Sequence, residues 1–221
     1  MQSQKARFIK VHASKDDVRR LYARLSYLYD SWGFLTESKA VDRAVELANI
    51  QDGENILEVA VGTGTLFKRI VALNHNGKNE GIDLSPDMLS RAKKRLGKRF
   101  TNYSLQVGDA YSLEHSDDTF DVLFNNYMFD LLPEEDFGQV LLEFKRVLKH
   151  GGRMVITSMT FGRRWYSRIW DWMVHKNPSL LAGCRPVSLE EDIMHADFEN
   201  IHAEYVSQLT FPSMVIYAEK P

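Results

Sequence analysis

Cysteine is nearly absent: Cys184 is the only one in 221 residues. No intramolecular disulfide can form, a zinc site built from several thiolates is excluded, and a reducing, cytoplasmic setting is the expectation. An excess of charge of one sign is lacking as well. Lys and Arg number 28 against 30 Asp and Glu, a formal net charge of −2, which argues against nucleic-acid binding through bulk electrostatics. No long apolar run opens the chain. Met1 to Lys10 is polar and carries Lys5, Arg7 and Lys10, unlike a signal peptide or membrane span, so a protein neither secreted nor membrane-spanning is expected. The histidines are scattered and pair with no other ligand-type residue, so no metal is expected.

What is present begins with Asn55-Ile56-Leu57-Glu58-Val59-Ala60-Val61-Gly62-Thr63-Gly64-Thr65-Leu66. An apolar run ends in an acid, passes two glycines one residue apart and continues into a helical pattern through Phe67, Ile70 and Val71, so a strand turns sharply into a helix. Glycines suit a cofactor turn because they accept positive φ and let a ligand approach the backbone at a helix N-terminus. A dinucleotide fingerprint wants a small residue three positions after the second glycine, and Phe67 stands there. The nicotinamide reading is weakened. No Gly-Lys-Ser/Thr follows Gly62, which removes the nucleoside triphosphate loop.

The register acid-x-small-x-Gly-x-Gly, carried by Glu58, Ala60, Gly62 and Gly64, resembles the class I S-adenosylmethionine-dependent methyltransferases. Ala60 stands where that family usually has glycine. The second predicted strand, Glu80-Gly81-Ile82-Asp83, ends in an acid about twenty residues past the turn, where a βαβ unit brings a carboxylate beside a ribose; Asp83 is the expected ribose ligand. Ser85 then caps a helix with Pro86 at its first position and Met88, Leu89, Ala92 and Leu96 on its buried face. Its many Lys and Arg read as a solvated surface. Strand three, Tyr103 to Val107, closes on Asp109-Ala110, which the resemblance assigns to the adenine amino group. Strand four, Thr119 to Asn125, runs into Asn126-Tyr127-Met128-Phe129-Asp130, which should face the reacting methyl group. The absence of an Asn/Asp-Pro-Pro-Tyr/Phe signature there makes nucleic-acid adenine and protein glutamine poor acceptors.

Pro133 to Leu148 reads as a helix capped by Gly151-Gly152, followed by strand five, Arg153 to Ser158. A last helix runs to about Ala196 from an opening at Cys184 to Ser188, and two strands, Ile201 to Gln208 and Met214 to Glu219, complete an α/β fold. The expected sheet is Rossmann-like, seven-stranded and mostly parallel, with helices on both faces and an antiparallel C-terminal strand. Residues 1–50 are expected to form an N-terminal helical lid, with one helix from Ser14 to Tyr29 and another from Ser38 to Asn49, and 51–221 the S-adenosylmethionine-binding domain. Simple packing of the first helix on the core is the competing reading. Tyr29-Asp30 and Trp32 resemble the quinone-type and phosphatidylethanolamine-type enzymes of this family.

The resemblance implies S-adenosylmethionine as cofactor, with no metal. Expected cofactor contacts are Tyr22, Tyr29, Glu58, Ala60, Gly62 and Gly64, then Asp83, Leu84, Met88, Asp109, Ala110 and Asn125. Asn126, Tyr127 and Asp130 are the candidate catalytic residues. Asp130 could take a proton from a hydroxyl or thiol, attract a cationic amine, or merely cap a helix at the surface. The implied activity is methyl transfer to a small-molecule or lipid-like acceptor; a catalytically idle cofactor-binding module is the rival. Residues 161–183, where Arg163, Arg164 and Arg168 alternate with Trp165, Tyr166, Trp170 and Trp172, could wall the acceptor pocket, touch a membrane surface peripherally, stack on bases or pack on the core.

Overall fold

The computed structural model describes residues 37–163, Trp170, Trp172 and 184–221. The expected helix from Ser14 to Tyr29, with Tyr22, Tyr29 and Trp32, and most of 161–183 lie outside the described residues.

Helix α1 covers 37–48. The remaining elements are β1 (Asn55–Val59), α2 (Thr65–Leu73), β2 (Lys78–Asp83), α3 (Pro86–Leu96), β3 (Tyr103–Val107), β4 (Phe120–Asn126), α4 (Phe137–Val147), β5 (Leu148–Met159), α5 (Glu190–His195), β6 (Glu199–Gln208) and β7 (Phe211–Glu219). Seven strands form one sheet in the order β3-β2-β1-β4-β5-β7-β6. All pairs from β3 to β5 are parallel, and β7 runs antiparallel to both β5 and β6. The chain reverses its direction across the sheet between β1 and β4, the switch point at which open α/β sheets bind ligands.

Period-two alternation sorts the sheet's side chains between two cores. Leu57, Val59, Leu123, Met154, Ile156 and Ile216 pack with α4 and α5 on one face. Ile56, Val122, Phe124, Val155 and Val215 pack with α1, α2 and α3 on the other. Because Ala40, Val41, Ala44 and Ala48 of α1 are buried in this second core, α1 is a packed layer of the fold. Arg153 of β5 clamps the α1–β1 connection, with Nη1 and Nη2 donating to the two carboxylate oxygens of Glu54 at 2.8 and 2.9 Å and Nη2 also to the Asn49 carbonyl at 3.1 Å.

Helix α3 follows its local signals. The Ser85 hydroxyl accepts the Met88 N–H, Pro86 opens the helix, Lys93, Lys94 and Arg95 fill the last turn, and the buried residues are Met88, Leu89, Ala92 and Leu96. Acid near the start and bases near the end both complement the helix dipole.

The helix expected over Pro133 to Leu148 is shorter. A 3-10 turn, Glu134–Asp136, precedes α4, and Leu148 at the C-cap is already extended. The last carbonyls of α4 are taken by the loop before β4: Asp118 N–H donates to Arg146 O and Thr119 N–H to Val147 O. No glycine cap is needed. Gly151 and Gly152 instead lie inside β5, where the β4–β5 register shifts between Phe120 and Val122. A Cβ on Gly152 would come within 2.8 Å of Lys149 O and 3.1 Å of Phe120 O, so the pair serves a β-bulge. The last helix is confined to α5, with 184–189 outside regular structure.

A buried amide knot closes the sheet's other end. Asn74 Oδ1 accepts Gly53 N–H at 2.8 Å, while its Nδ2 donates to Glu54 O and Asn79 Oδ1 at 2.8 and 2.9 Å. Asn79 and Asn102 both donate back to Asn74 O.

Candidate active site

A cavity of about 670 Å³ opens at the carboxyl ends of β1, β2 and β4, within the range of small-molecule sites. Its wall includes Glu58, Ala60, Gly62, Asp83, Leu84, Met88, Asp109, Ala110, Asn126 and Tyr127. Ten of the expected site residues therefore meet in one place.

The turn after β1 is held by two hydrogen bonds from β2. Val61 N–H donates to Ile82 O at 3.0 Å, and Gly62 N–H to Asp83 Oδ2 at 2.7 Å. Ser85 N–H donates to Asp83 Oδ1 at 2.8 Å. The carboxylate is thus fixed by one backbone bond on each oxygen, leaving further acceptor positions for a ligand. Burial raises its pKa above the usual carboxylate value despite those two bonds, which pull the other way.

Glu58 is buried, and its Oε2 has no partner. Burial, helped by the charge of Asp83, holds this carboxyl well above its ordinary range. An unpartnered buried carboxyl beside a ligand cavity calls for a cation or a hydrogen-bond donor from the ligand. Around the turn, φ is positive at Ala60 (63°), Gly62 (56°) and Gly64 (80°). A Cβ at Gly62 would meet nothing within 4 Å, so its left-handed φ, more than crowding, selects glycine. Ala60 holds the same conformation with a methyl group and is strained by it.

Three expected site residues are placed elsewhere. Gly64 is absent from the cavity wall. A Cβ on it would lie 2.8 Å from Ala92 Cβ, so it permits the close packing of α2 on α3, a task the dinucleotide pattern gives to its third small residue. Asn125 is 1% exposed, and its Nδ2 donates to Val59 O at 2.9 Å, pinning β4 to β1. Asp130 is neither in the cavity wall nor at the surface: it is fully buried, and Met159 N–H donates to its Oδ2 at 2.9 Å. Burial pushes its pKa up to about 8. One residue's rotation along a strand or turn exchanges the cavity for the core.

Tyr127 lies at positive φ, 50°, where β4 ends. Its N–H donates to Thr157 O at 2.7 Å and its hydroxyl shares a 2.7 Å hydrogen bond with Ser213 Oγ. Burial holds the phenol well above its ordinary pKa. Beyond it the wall is largely apolar, with Val41, Met128, Leu131 and Leu132. Glu37 and Ser38 of α1, Arg69 of α2 and Arg95 of α3 also reach the cavity. Sequence reasoning missed Glu37, for which no motif signals a cavity position, and placed Arg95 on a solvated face.

S-adenosylmethionine, the cofactor the resemblance implies, matches this wall. Asp83 can accept ribose hydroxyls, the Asp109–Ala110 pair that the resemblance assigns to the adenine lines the same cavity, and the orphaned Glu58 carboxyl suits the cationic methionine end. Arg69 is paired with Asp42, and Arg95 donates to Thr65 Oγ1.

A family profile described as a methyltransferase domain matches residues 56–152. A demethylmenaquinone methyltransferase of Alkalihalophilus pseudofirmus is 36% identical over 108 residues, covering 48% of this chain and 45% of that protein, so the chain spans about half the length of that relative. A phosphatidylethanolamine N-methyltransferase of Cereibacter sphaeroides is 32% identical over 145 residues, 65% of this chain and 68% of that protein. A Haemonchus contortus phosphoethanolamine N-methyltransferase, solved with phosphomonomethylethanolamine and S-adenosylhomocysteine, shares the fold with a TM-score of 0.73 at 18% identity, over 92% of this chain and 60% of that one. With the glycine turn, the Asp83 carboxylate and the sheet order all in agreement, the chain belongs to the S-adenosylmethionine-dependent methyltransferases.

Proposed function

We propose that the protein transfers a methyl group to a small-molecule or lipid-like acceptor by in-line displacement. The observation that supports this most is the continuity of the cavity. Its Glu58–Gly62 and Asp83–Asp109 end suits a nucleoside-bearing cofactor, and it continues without a break to the apolar wall of Val41, Tyr127, Met128, Leu131 and Leu132. Bound S-adenosylmethionine supplies a methyl group activated by the sulfonium. The protein's own part is to align the acceptor and keep water out, which an aromatic and aliphatic wall does without a strong acid. The wall also avoids stabilising the charged ground state, since positive charge disperses during the transfer.

Named relatives act on a quinone precursor and on phosphatidylethanolamine, which supports an acceptor with an apolar body. Tyr22, Tyr29 and Trp32 are proposed to complete the wall as a lid. Among the described residues no helix is long and apolar enough to cross a membrane. Such an acceptor would thus reach the cavity from a membrane surface or from solution.

The test is to incubate the full chain with methyl-tritiated S-adenosylmethionine and either phosphatidylethanolamine in mixed micelles, reduced demethylmenaquinone or a total lipid extract. Label entering the organic phase with an equimolar yield of S-adenosylhomocysteine is expected. Tight binding of S-adenosylhomocysteine with no transfer to any of these fractions would favour an idle regulatory module.

A further inference from the structure

Glu37 is a carboxylate whose position the methyl-donor site does not explain. It lies on α1, lines the cavity, and makes no hydrogen bond or ion pair with any described residue. The other acids of the wall either belong to the cofactor end, as the unpartnered Glu58 does, or have a partner. Asp83 holds the glycine turn, Glu58 lies beside it, Asp109 accepts the Tyr111 N–H, and Asp136 accepts the Tyr111 hydroxyl at 2.7 Å. Glu37 is close enough to Tyr127 and Asp130 for its charge to bear on both, which places it at the acceptor end.

The charge balance of the wall points to the sign of the missing partner. Among the described residues, five acids, Glu37, Glu58, Asp83, Asp109 and Asp136, face two cations, Arg69 and Arg95, and these reach Asp42 and Thr65 respectively. Such a cavity favours a positively charged guest and disfavours a phenolate or carboxylate. With Tyr127 and aliphatic side chains beside it, Glu37 offers charge on one side and apolar cover on the other.

We infer that Glu37 is the acceptor-binding carboxylate, that it holds an amine as its ammonium, and that it receives the proton the nitrogen must lose before methylation. This rests on the methyltransferase reading above and names the acceptor class for it. The ammonium gives one proton to the Glu37 carboxylate, leaving a neutral amine and a neutral carboxyl. The freed lone pair then forms the N–C bond as the methyl carbon's bond to sulfur breaks. S-adenosylhomocysteine leaves, and the product is a methylated ammonium.

The groups facing Glu37 fit this exchange. Tyr127 and Asp130 come from the segment after β4, and Arg185 acts on Asp130 from beyond it. On α1 itself, Asp42 is paired with Arg69, and Arg43 with Glu46 and Glu204. Among the described residues no cation pairs with Glu37, Lys39 of the same helix included, and burial raises its pKa to about 7, near that wanted of a proton acceptor working at neutral pH.

The test reads Glu37 directly. Full-length protein labelled with 13C at glutamate carboxyls and saturated with S-adenosylhomocysteine is titrated by NMR, Glu37 being assigned by its loss in E37Q or, if that variant does not fold, its displacement in E37D. A midpoint near 7 is expected, and n-butylammonium chloride should lower it by roughly one pH unit, as an opposite charge in contact does. Sodium chloride at equal ionic strength and 1-butanol should leave it in place. A midpoint near an ordinary glutamate, no response to n-butylammonium, or an equal response to 1-butanol would overturn the inference. None of these outcomes depends on turnover, so failure here is separable from failure of the methyltransferase reading.

Discussion

The Gly62 amide donates to Asp83 Oδ2 at 2.7 Å, so the glycine turn after β1 and the acid ending β2 form one unit. The carboxylate shapes the turn it shares a ligand with. Replacing Asp83 by Ala should weaken S-adenosylhomocysteine binding by about 1.5–3 kcal/mol, through lost charge-assisted bonds to the ribose. Asn should cost less, because its Oδ1 can still accept one backbone N–H. Calorimetry on folded variants checks this; unchanged affinity in Asp83→Ala would remove the residue from the ribose site.

Ala60 offers a gain in stability. Its φ of 63° is a conformation that glycine adopts without strain. Ala60→Gly should therefore stabilise the fold by about 0.5–1 kcal/mol, relief of strain being partly offset by the more flexible unfolded chain. Urea denaturation at neutral pH measures it. A loss of stability would mean that the methyl group's contacts outweigh the strain.

Asp130 makes stability fall as pH rises. Burial raises its pKa to about 8 in the folded protein, against about 3.9 in the unfolded chain. Between those values the folded state carries a proton that the unfolded state has released. This stability is complete below pH ~4 and is lost progressively until the pH passes the folded value. Asp130→Asn keeps an acceptor for the Met159 N–H and cannot ionise. It should remove roughly 2–3 kcal/mol of the decline between pH 6 and 8, with methyl transfer largely retained. Parallel pH slopes of wild type and variant would contradict the buried-carboxyl account.

Asn74 ties four segments together through buried amide bonds. Asn74→Ala leaves the Gly53 N–H and Asn79 Oδ1 without that partner and should destabilise the fold by about 2–4 kcal/mol. The knot lies at the end of the sheet opposite the cavity, so the folded fraction should bind S-adenosylhomocysteine as wild type does. Chemical denaturation gives the first quantity and calorimetry the second.

The legibility of the chain follows how local each signal is. Ser85, Pro86 and the spacing of Met88, Leu89, Ala92 and Leu96 specify α3 within a dozen residues, and the structure agrees. Acid and glycine spacing located Glu58, Gly62 and Asp83 equally well, because a βαβ unit fixes their relation. Gly151 and Gly152 misled, since a glycine pair after a helical stretch signals a C-cap and a strand bulge alike. Asp130 was unreadable for another reason: sequence shows that it follows β4, but only packing against Met159 shows that it turns into the core. Glu37 lies far from the cofactor motif in sequence, and it joins the cavity because α1 packs on the sheet beside α2, where Asp42 pairs with Arg69.

The central claim is that this cavity is a S-adenosylmethionine site with a separate acceptor carboxylate, and calorimetric titration with S-adenosylhomocysteine tests it most directly. The account predicts one site per chain in the wild type, binding weakened in Asp83→Ala, affinity preserved in Glu37→Gln, and no binding of reduced nicotinamide cofactor. Absence of S-adenosylhomocysteine binding by the folded wild type, or preferred binding of the nicotinamide cofactor, would contradict it.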